Sequence, residues 1–166
     1  MAQHLLVPID GSPISEGALR MGLELAQKLG ARVSLFYALP TARGYALATV
    51  PPFVDRKAIS SKPLHAIHEL IAEHAQRYLE TLVAQPQPRG WETRPIELDW
   101  EYRESDHPYR AILDAAEQLG CDLIVMASHG RRGLEGFLLG SETQKVLTHS
   151  QLPVLVVPPA AALSAE

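Results

Sequence analysis

The stretch that decides the fold is residues 122–143, DLIVMASHGRRGLEGFLLGSET, where an apolar run leads into a glycine-rich segment and then a helix start. Residues 122–127 show no alternation of apolar and polar side chains, which predicts a central strand buried on both faces. Four of the 11 glycines lie between Gly130 and Gly140. Because the first N–H groups of a helix have no internal partners, a loop that joins a buried strand to a helix N-terminus is predicted to bind anions.

Strand-like and helix-like patterns alternate along the rest of the chain, which predicts an α/β fold with a parallel sheet. The helix signals include Ser12 as an N-cap, Pro13 at the first helical position and Gly30 as a stop. Residues 96–103 alternate between apolar and polar side chains, which is typical of an edge strand. The predicted order is strand 5–9, helix 13–29, strand 33–39, helix 64–82, strand 96–103, helix 108–119, strand 122–127, helix 141–149 and strand 152–157.

Length and composition are typical of one globular domain. The chain has 166 residues, of which 46% are hydrophobic and 20% are charged, and this excludes a disordered or collagen-like protein. We predict a single domain over residues 1–158. It contains a long proline-rich loop at 40–63 and is followed by a mobile tail at 159–166.

Charge, apolar-run length and cysteine content restrict the partners and the location. The net charge of -4 gives no general attraction to nucleic acid or acidic membranes, so neither is a predicted partner. Every apolar run is far shorter than the ~20 residues that a membrane helix needs, and no secretory signal is recognisable. The single cysteine, Cys121, forms no internal disulfide. Together these features predict a cytoplasmic protein.

The glycine-rich segment supplies further groups suited to an anion. Arg131 and Arg132 provide local positive charge, and Ser141 and Thr143 provide hydroxyl donors. Neither a P-loop nor a dinucleotide-binding fingerprint is present. An alternative interpretation is an ordinary loop followed by a capping box formed by Ser141 and Gln144, which is compatible with phosphate binding.

Several other side chains have both a functional and a structural interpretation. His129 is either a phosphate or ribose contact or a loop histidine bonded to backbone. His65, His68 and His74 lie on one predicted helix, where a solvated flank is the simpler interpretation than a metal site. Cys121 is interpreted as a packed thiol. Hydrolytic catalysis by Asp10, Ser12, His129 and Ser141 is disfavoured because the chain has no Gly-x-Ser-x-Gly elbow.

The chain resembles the universal stress protein family, whose nucleotide-binding members carry Gly-x2-Gly-x9-Gly-Ser/Thr at this place. Gly130, a nine-residue spacer and Gly140-Ser141 match the pattern, whereas Ala127 replaces its first glycine. The resemblance continues in residues 7–12, 122–126 and 145–157. It implies an open five-stranded parallel sheet in the order 3-2-1-4-5, with helices on both faces and ATP at the carboxyl ends of the strands.

The resemblance also implies which residues bind the nucleotide. Mg²⁺ would be held mainly by the phosphates. The Ala127 methyl group is expected to crowd the ribose unless the backbone φ is negative there. The Glu142 carboxylate would favour the helix N-terminus and repel a triphosphate, and a metal ion between carboxylate and phosphate would reverse that repulsion, so either effect on affinity is open. The implied contacts are Pro8, Ile9, Asp10, Ala38, Ala127, Ser128, His129, Gly130, Arg131, Gly140, Ser141, Glu142 and Thr143.

The last predicted strand is apolar throughout, and the resemblance places it at an edge of the sheet. Pairing with the same strand of a second copy would cover both its backbone edge and its apolar face. We therefore predict a twofold homodimer, as is usual in the family. The predicted interface residues are Pro153, Val154, Leu155, Val156 and Val157.

The resulting prediction is a cytoplasmic, dimeric, ATP-binding stress-response protein in which catalysis is slow or absent. One alternative is a slow ATPase or an adenylyl-transferring enzyme on the same fold. The other is a family member that has lost nucleotide binding and acts only through protein contacts.

Overall fold

Strands and helices alternate through the computed structural model, which describes residues 3–41, 44, 51–55, 57, 62–85, 95–129 and 139–159. Of the residues predicted to contribute to the anion site, Gly130, Arg131 and Arg132 lie outside these ranges. Most of the loop at 40–63 and the tail beyond residue 159 also lie outside them. The described elements are β1 (His4–Pro8), α1 (Pro13–Leu29), β2 (Arg32–Leu39), α2 (Leu64–Ala84), β3 (Leu98–Glu104), α3 (Pro108–Gln118), β4 (Leu123–Ala127), α4 (Ser141–His149) and β5 (Val154–Val157).

The five strands form one parallel sheet in the order β3-β2-β1-β4-β5. In register, Leu5 of β1 is opposite Val33 of β2 on one side and Leu123 of β4 on the other. The predicted fold class and strand order are thereby confirmed. β3 and β5 start two residues later than predicted, because Ile96 and Leu152 lie outside the described strands.

Local signals place the first helix as predicted. Ser12 is the N-cap, and its Oγ accepts a hydrogen bond from Ser15 N at 3.2 Å. Pro13 follows at the first helical position, and the helix ends at Gly30, whose φ of 67° is in the left-handed region. A glycine adopts that conformation without steric cost, which explains why α1 ends there.

The sheet has an apolar core on each face. Leu5 and Val7 of β1 face the core that packs against α1 and α2. Leu6 and Ile124 face the opposite core, which packs against α3 and α4. All four of these side chains are fully buried, as expected for central strands of a parallel sheet.

The two edge strands differ. On β3, Leu98, Trp100 and Tyr102 pack toward the α1 and α2 core, whereas Asp99 is exposed on the other side. This confirms the predicted edge strand. On β5, Leu155 is 38% exposed. Within the described ranges, no helix is long and apolar enough to cross a membrane.

Candidate functional site

The central strands β1 and β4 end side by side, and the chain leaves them in opposite directions. β1 ends at Pro8 and its connection leads to α1, whereas β4 ends at Ala127 and its connection leads to α4 on the other face. In an open α/β sheet, a crevice forms where the strand order reverses in this way, and ligands bind there. The carboxyl end of these two strands is therefore the candidate site.

Two hydrogen bonds dock the start of α4 onto the end of β4. Gly140 N donates to Ser128 O at 2.8 Å, and Thr143 Oγ1 donates to Ala127 O at 3.0 Å. Thr143 is almost fully buried. Its hydroxyl hydrogen is therefore used within the protein, although the oxygen can still accept a hydrogen bond.

The predicted capping box at α4 is wrong. Gly140 is the N-cap, with φ -60° and ψ 149°, and no side chain caps the helix from that position. Ser141 is already the first helical residue, and Gln144 N donates to the backbone oxygen of Gly140. Because glycine has no side chain, the first N–H groups of α4 lack the cap that Ser12 gives α1.

Glu142 has partners on both carboxylate oxygens. Oε2 accepts from Tyr109 N at 2.9 Å, and Oε1 accepts from Lys145 Nζ at 2.7 Å. Tyr109 is in the first turn of α3, so the carboxylate also lies at the positive end of that helix dipole. The expected repulsion between Glu142 and a phosphate is therefore partly offset by α3 and Lys145.

Ala127 fits the site better than its departure from the glycine pattern suggested. Its side chain belongs to the buried core that packs against α1 and α2. Among the described residues, none other than glycine has a positive φ. The backbone φ of Ala127 is therefore not in the left-handed region, and its methyl group causes no strain there. This is the condition under which the methyl group is not expected to crowd the ribose.

His129 is buried beside Ser128, with 8% of its surface exposed. Its Nδ1 lies 2.9 Å from Ser128 Oγ, so its observed partner is a side-chain hydroxyl and not the backbone. Its Nε2 is buried and has no hydrogen-bond partner within the part of the chain that the structure describes. Buried polar atoms in proteins usually have a hydrogen-bond partner, so this nitrogen can form one further hydrogen bond.

The turn between β1 and α1 forms the other side of the site. Asp10 Oδ1 accepts from Ser12 N at 3.0 Å, and Asp10 N donates to Ser15 Oγ at 3.3 Å. Gly11 between them has a φ of +82°, which strongly favours glycine. Ala38 lies near the end of the neighbouring strand β2. The predicted residues Pro8, Ile9 and Asp10 thus lie at the same end of the sheet as Ser128 and His129.

Two contacts at this end of the sheet involve residues that the sequence did not single out. Phe53, in the loop after β2, lies against Gly11. Tyr109 donates a backbone hydrogen bond to the Glu142 carboxylate. The proline-rich loop shows no periodicity that would place Phe53. Both contacts join segments more than 30 residues apart, which local patterns do not reveal.

Two candidate histidines on α2 contact other groups of the protein, and the single cysteine is buried. His68 Nε2 lies 3.5 Å from Glu104 Oε1, and His74 Nδ1 lies 2.7 Å from Leu70 O. Groups of three or more metal-ligating side chains are absent from the described residues. Cys121 is buried, and burial raises the pKa of its thiol to about 12, which confirms the predicted packed thiol.

Comparison with known proteins identifies one family. Residues 1–158 match the model of the universal stress protein family. Universal stress protein MJ0531 of Methanocaldococcus jannaschii is 32% identical over 155 residues, which cover 93% of this chain and 81% of that protein. The structure of protein MJ0577 from the same organism superposes with a TM-score of 0.71 at 24% identity, covering 95% of this chain and 96% of that chain.

Two more distant structures contain adenine nucleotides. A universal stress protein in complex with cAMP has a TM-score of 0.54 and 20% identity, covering 95% of this chain and 98% of that chain. A universal stress protein from Archaeoglobus fulgidus in complex with dAMP has a TM-score of 0.57 and 17% identity, covering 94% and 97%. At these identities, the similarities establish the fold alone.

Proposed function

This chain belongs to the universal stress protein family, and we propose that it binds ATP at the carboxyl ends of β1 and β4. The main supporting observation is the N-terminus of α4, where the N-cap Gly140 provides no side-chain cap and its N–H bonds to Ser128 O, next in sequence to His129. Phosphate oxygens would accept hydrogen bonds from the first N–H groups of that helix. The imidazole would complete its hydrogen bonding with a phosphate or ribose oxygen.

The proposed contacts divide between the two sides of the site. Pro8, Ile9 and Asp10 would border the adenine and ribose, and Ala38 would contact the base. Residues 127–131 and 140–143 would surround the ribose and phosphates. The cAMP and dAMP complexes of two family members support an adenine nucleotide as the ligand class. Mg²⁺ would be held mainly by the phosphates and water, as is common for this ion.

We propose that nucleotide occupancy acts as a signal or stabiliser and that hydrolysis is slow or absent. Phosphoryl transfer to water needs a group that orients the attacking water. The two carboxylates among the proposed nucleotide contacts already accept hydrogen bonds, Asp10 from Ser12 N and Glu142 from Tyr109 N and Lys145 Nζ. Phosphate release at a rate that Asp10→Asn abolishes would instead assign hydrolysis to the protein.

The test combines identification of bound nucleotide with calorimetry. Purified protein would be denatured and the released small molecules identified, and ATP would then be titrated with and without Mg²⁺. We expect a bound adenine nucleotide or a clear heat of binding. Absence of nucleotide together with absence of heat up to millimolar ATP would overturn the proposal.

Gly140 offers a sharper variant, because its backbone conformation is open to any residue. Gly140→Asp would cap α4 with its own carboxylate, so the stability of the protein should be unchanged or slightly raised. The same carboxylate would occupy the proposed phosphate position and repel the ligand, so ATP affinity should fall more than tenfold. Gly140→Ala is the matched control, since it leaves the N–H groups uncapped and should bind ATP nearly as the parent does. Equal binding by both variants would place the phosphates elsewhere.

We also propose a homodimer through β5, residues 153–157. The apolar Leu155 at this edge, 38% exposed, supports pairing with a second copy. Leu155→Lys should give a monomeric mass in light scattering at micromolar concentration, whereas Asp99→Lys on the opposite edge should leave the dimer intact. A monomeric mass for the parent protein would defeat this proposal.

The proposed location is the cytoplasm. The buried, unpaired thiol of Cys121 is the only cysteine of the chain and suits a reducing compartment. Cell fractionation with an antibody to the protein tests the location, and recovery in a secreted or membrane fraction would contradict it.

A further inference from the structure

Residues 51–55, here called the strap, pack onto the fold from within the long loop that follows β2. Val54 N donates to Pro51 O at 3.1 Å, which closes a turn. Pro51 is buried, and Val54 is buried among the apolar residues of the α1 and α2 core. The strap therefore packs in a defined position against the face of the sheet that α1 and α2 cover.

An aromatic cluster holds the central residue of the strap. The Phe53 ring stacks on Tyr78 of α2 with centroids 4.8 Å apart, and it meets Tyr37 of β2 edge-on at 5.6 Å. The Tyr78 hydroxyl donates to Glu16 Oε1 of α1 at 2.7 Å. Burial, reinforced by this hydrogen bond, raises the pKa of Tyr78. Phe53 is thus fixed by β2 and α2, and indirectly by α1.

The same ring covers Gly11 in the turn between β1 and α1. A Cβ built on Gly11 would lie 2.9 Å from Phe53 Cδ1 and 3.3 Å from Pro52 Cδ. Gly11 also has a φ of +82°, so both its conformation and its contact require glycine. On either side of it, Asp10 Oδ1 accepts from Ser12 N, and Ser12 Oγ caps α1.

We propose that Phe53 is a positioning residue for the nucleotide site and holds the Asp10–Gly11–Ser12 turn in its binding conformation. This inference rests on the proposed function, because Asp10 is one of the proposed nucleotide contacts. Glycine has the largest conformational freedom of any residue. Without the ring above it, the turn would have to be ordered when the nucleotide binds, and that cost would weaken binding by about tenfold.

The test compares Phe53→Ala with Leu82→Ala. Leu82 is buried in the same apolar core but lies near the C-terminal end of α2, away from the turn. ATP affinity would be measured by calorimetry, and amide hydrogen exchange of residues 10–16 would be measured without nucleotide. We expect Phe53→Ala to bind ATP about tenfold more weakly and to exchange faster over residues 10–16. Leu82→Ala should lose stability while keeping parental affinity and parental exchange in the turn.

Conservative variants keep the test decisive if Phe53→Ala does not fold. Phe53→Tyr retains the ring and should restore affinity, and Phe53→Leu should fall between Tyr and Ala. Equal affinities for the Phe53 and Leu82 variants, or unchanged exchange in the turn, would overturn the positioning role. If the parent protein fails to bind ATP, the proposed function fails, while the exchange measurement still decides whether Phe53 holds the turn.

Discussion

Two buried histidines lie at opposite ends of the sheet, each beside a serine hydroxyl. His4, at the amino end, has Nε2 2.7 Å from Ser34 Oγ and Nδ1 3.1 Å from Leu119 O. His129, at the carboxyl end, has Nδ1 2.9 Å from Ser128 Oγ, but within the described residues its Nε2 has no hydrogen-bond partner. The two rings are similarly buried, at 3% and 8% exposure, so burial alone does not distinguish them.

The difference lies in whether the protein completes the ring's hydrogen bonding. An unmade hydrogen bond at a buried polar atom costs about 1–3 kcal/mol. His4 avoids this cost with groups from β2 and from the residue after α3. Within the described residues, no hydrogen bond offsets this cost for His129, which lies at the end of the sheet where parallel α/β folds bind ligands. The hydrogen bonds of His4 indicate a role in stability, and the unpartnered Nε2 of His129 supports the proposal that this residue contacts the nucleotide.

The largest expected effect is on folding. His4→Ala removes a buried ring and leaves Ser34 Oγ and Leu119 O without their partner, so it should lower the free energy of unfolding by about 3 kcal/mol. His129→Ala also removes a buried ring, but it leaves only Ser128 Oγ without a partner and removes the unpartnered Nε2, so the loss should be smaller, about 1 kcal/mol. Urea denaturation without nucleotide measures both values. Equal losses would remove the distinction between the two histidines.

The next effect reverses the order of the two variants. His129→Ala should weaken ATP binding about tenfold, the contribution of one hydrogen bond to a charged group. His4→Ala should bind ATP within about twofold of the parent under conditions where both are folded. Calorimetric titration of the two variants decides the point. A weaker complex for His4→Ala alone would contradict the assignment.

The sequence predicted the elements whose signals are local. Ser12, Pro13 and Gly30 bound α1 because a cap, a fixed φ and a left-handed stop each depend on one residue. The uninterrupted apolar run of β4 placed it at the centre of the sheet. The family pattern around Gly140 likewise predicted the candidate site at the carboxyl end of the sheet.

What the sequence missed depends on contacts between distant segments. Gly140 and Ser141 are both acceptable N-caps by residue type. Gly140 is the N-cap in the structure, where its N–H donates to Ser128 O, twelve residues earlier. Nothing near Glu142 in sequence indicates that its carboxylate reaches Tyr109. No local pattern marks His4 as a buried, hydrogen-bonded residue, because its partners are 30 and 115 residues away.

A smaller effect concerns pH. Burial, followed by the positive charge of Arg32, lowers the pKa of His4 in the folded protein. The unfolded chain therefore takes up a proton near pH 6.5, whereas the folded protein does so only at lower pH. Stability should be fully present above about pH 6.5, fall as the pH decreases through the unfolded pKa, and level off below the folded pKa.

His4→Ala isolates this contribution, because the other titrating groups are common to both proteins. The stability difference between parent and variant should shrink as the pH is lowered from 7.5 to 5.5, by at most about 1.4 kcal/mol per pH unit for one group. Urea denaturation over that range provides the measurement. A constant difference would mean that His4 titrates alike in both states.

The smallest expected effect is on thiol labelling, which compares the reactivity of a cysteine at each end of the sheet. At the amino end we expect almost no labelling. Cys121, just before β4 at the amino end, is buried, and burial raises its pKa to about 12. Since the thiolate is the reactive form, the native protein should resist iodoacetamide at pH 8 except through unfolding.

On a Cys121→Ala background, Ser141→Cys places a thiol at the exposed first position of α4. There the helix N-terminus favours the thiolate, so labelling should be fast and ATP should slow it. Rapid labelling of native Cys121 would mean that the amino end of the sheet opens, and equal labelling of Ser141→Cys with and without ATP would separate α4 from the nucleotide.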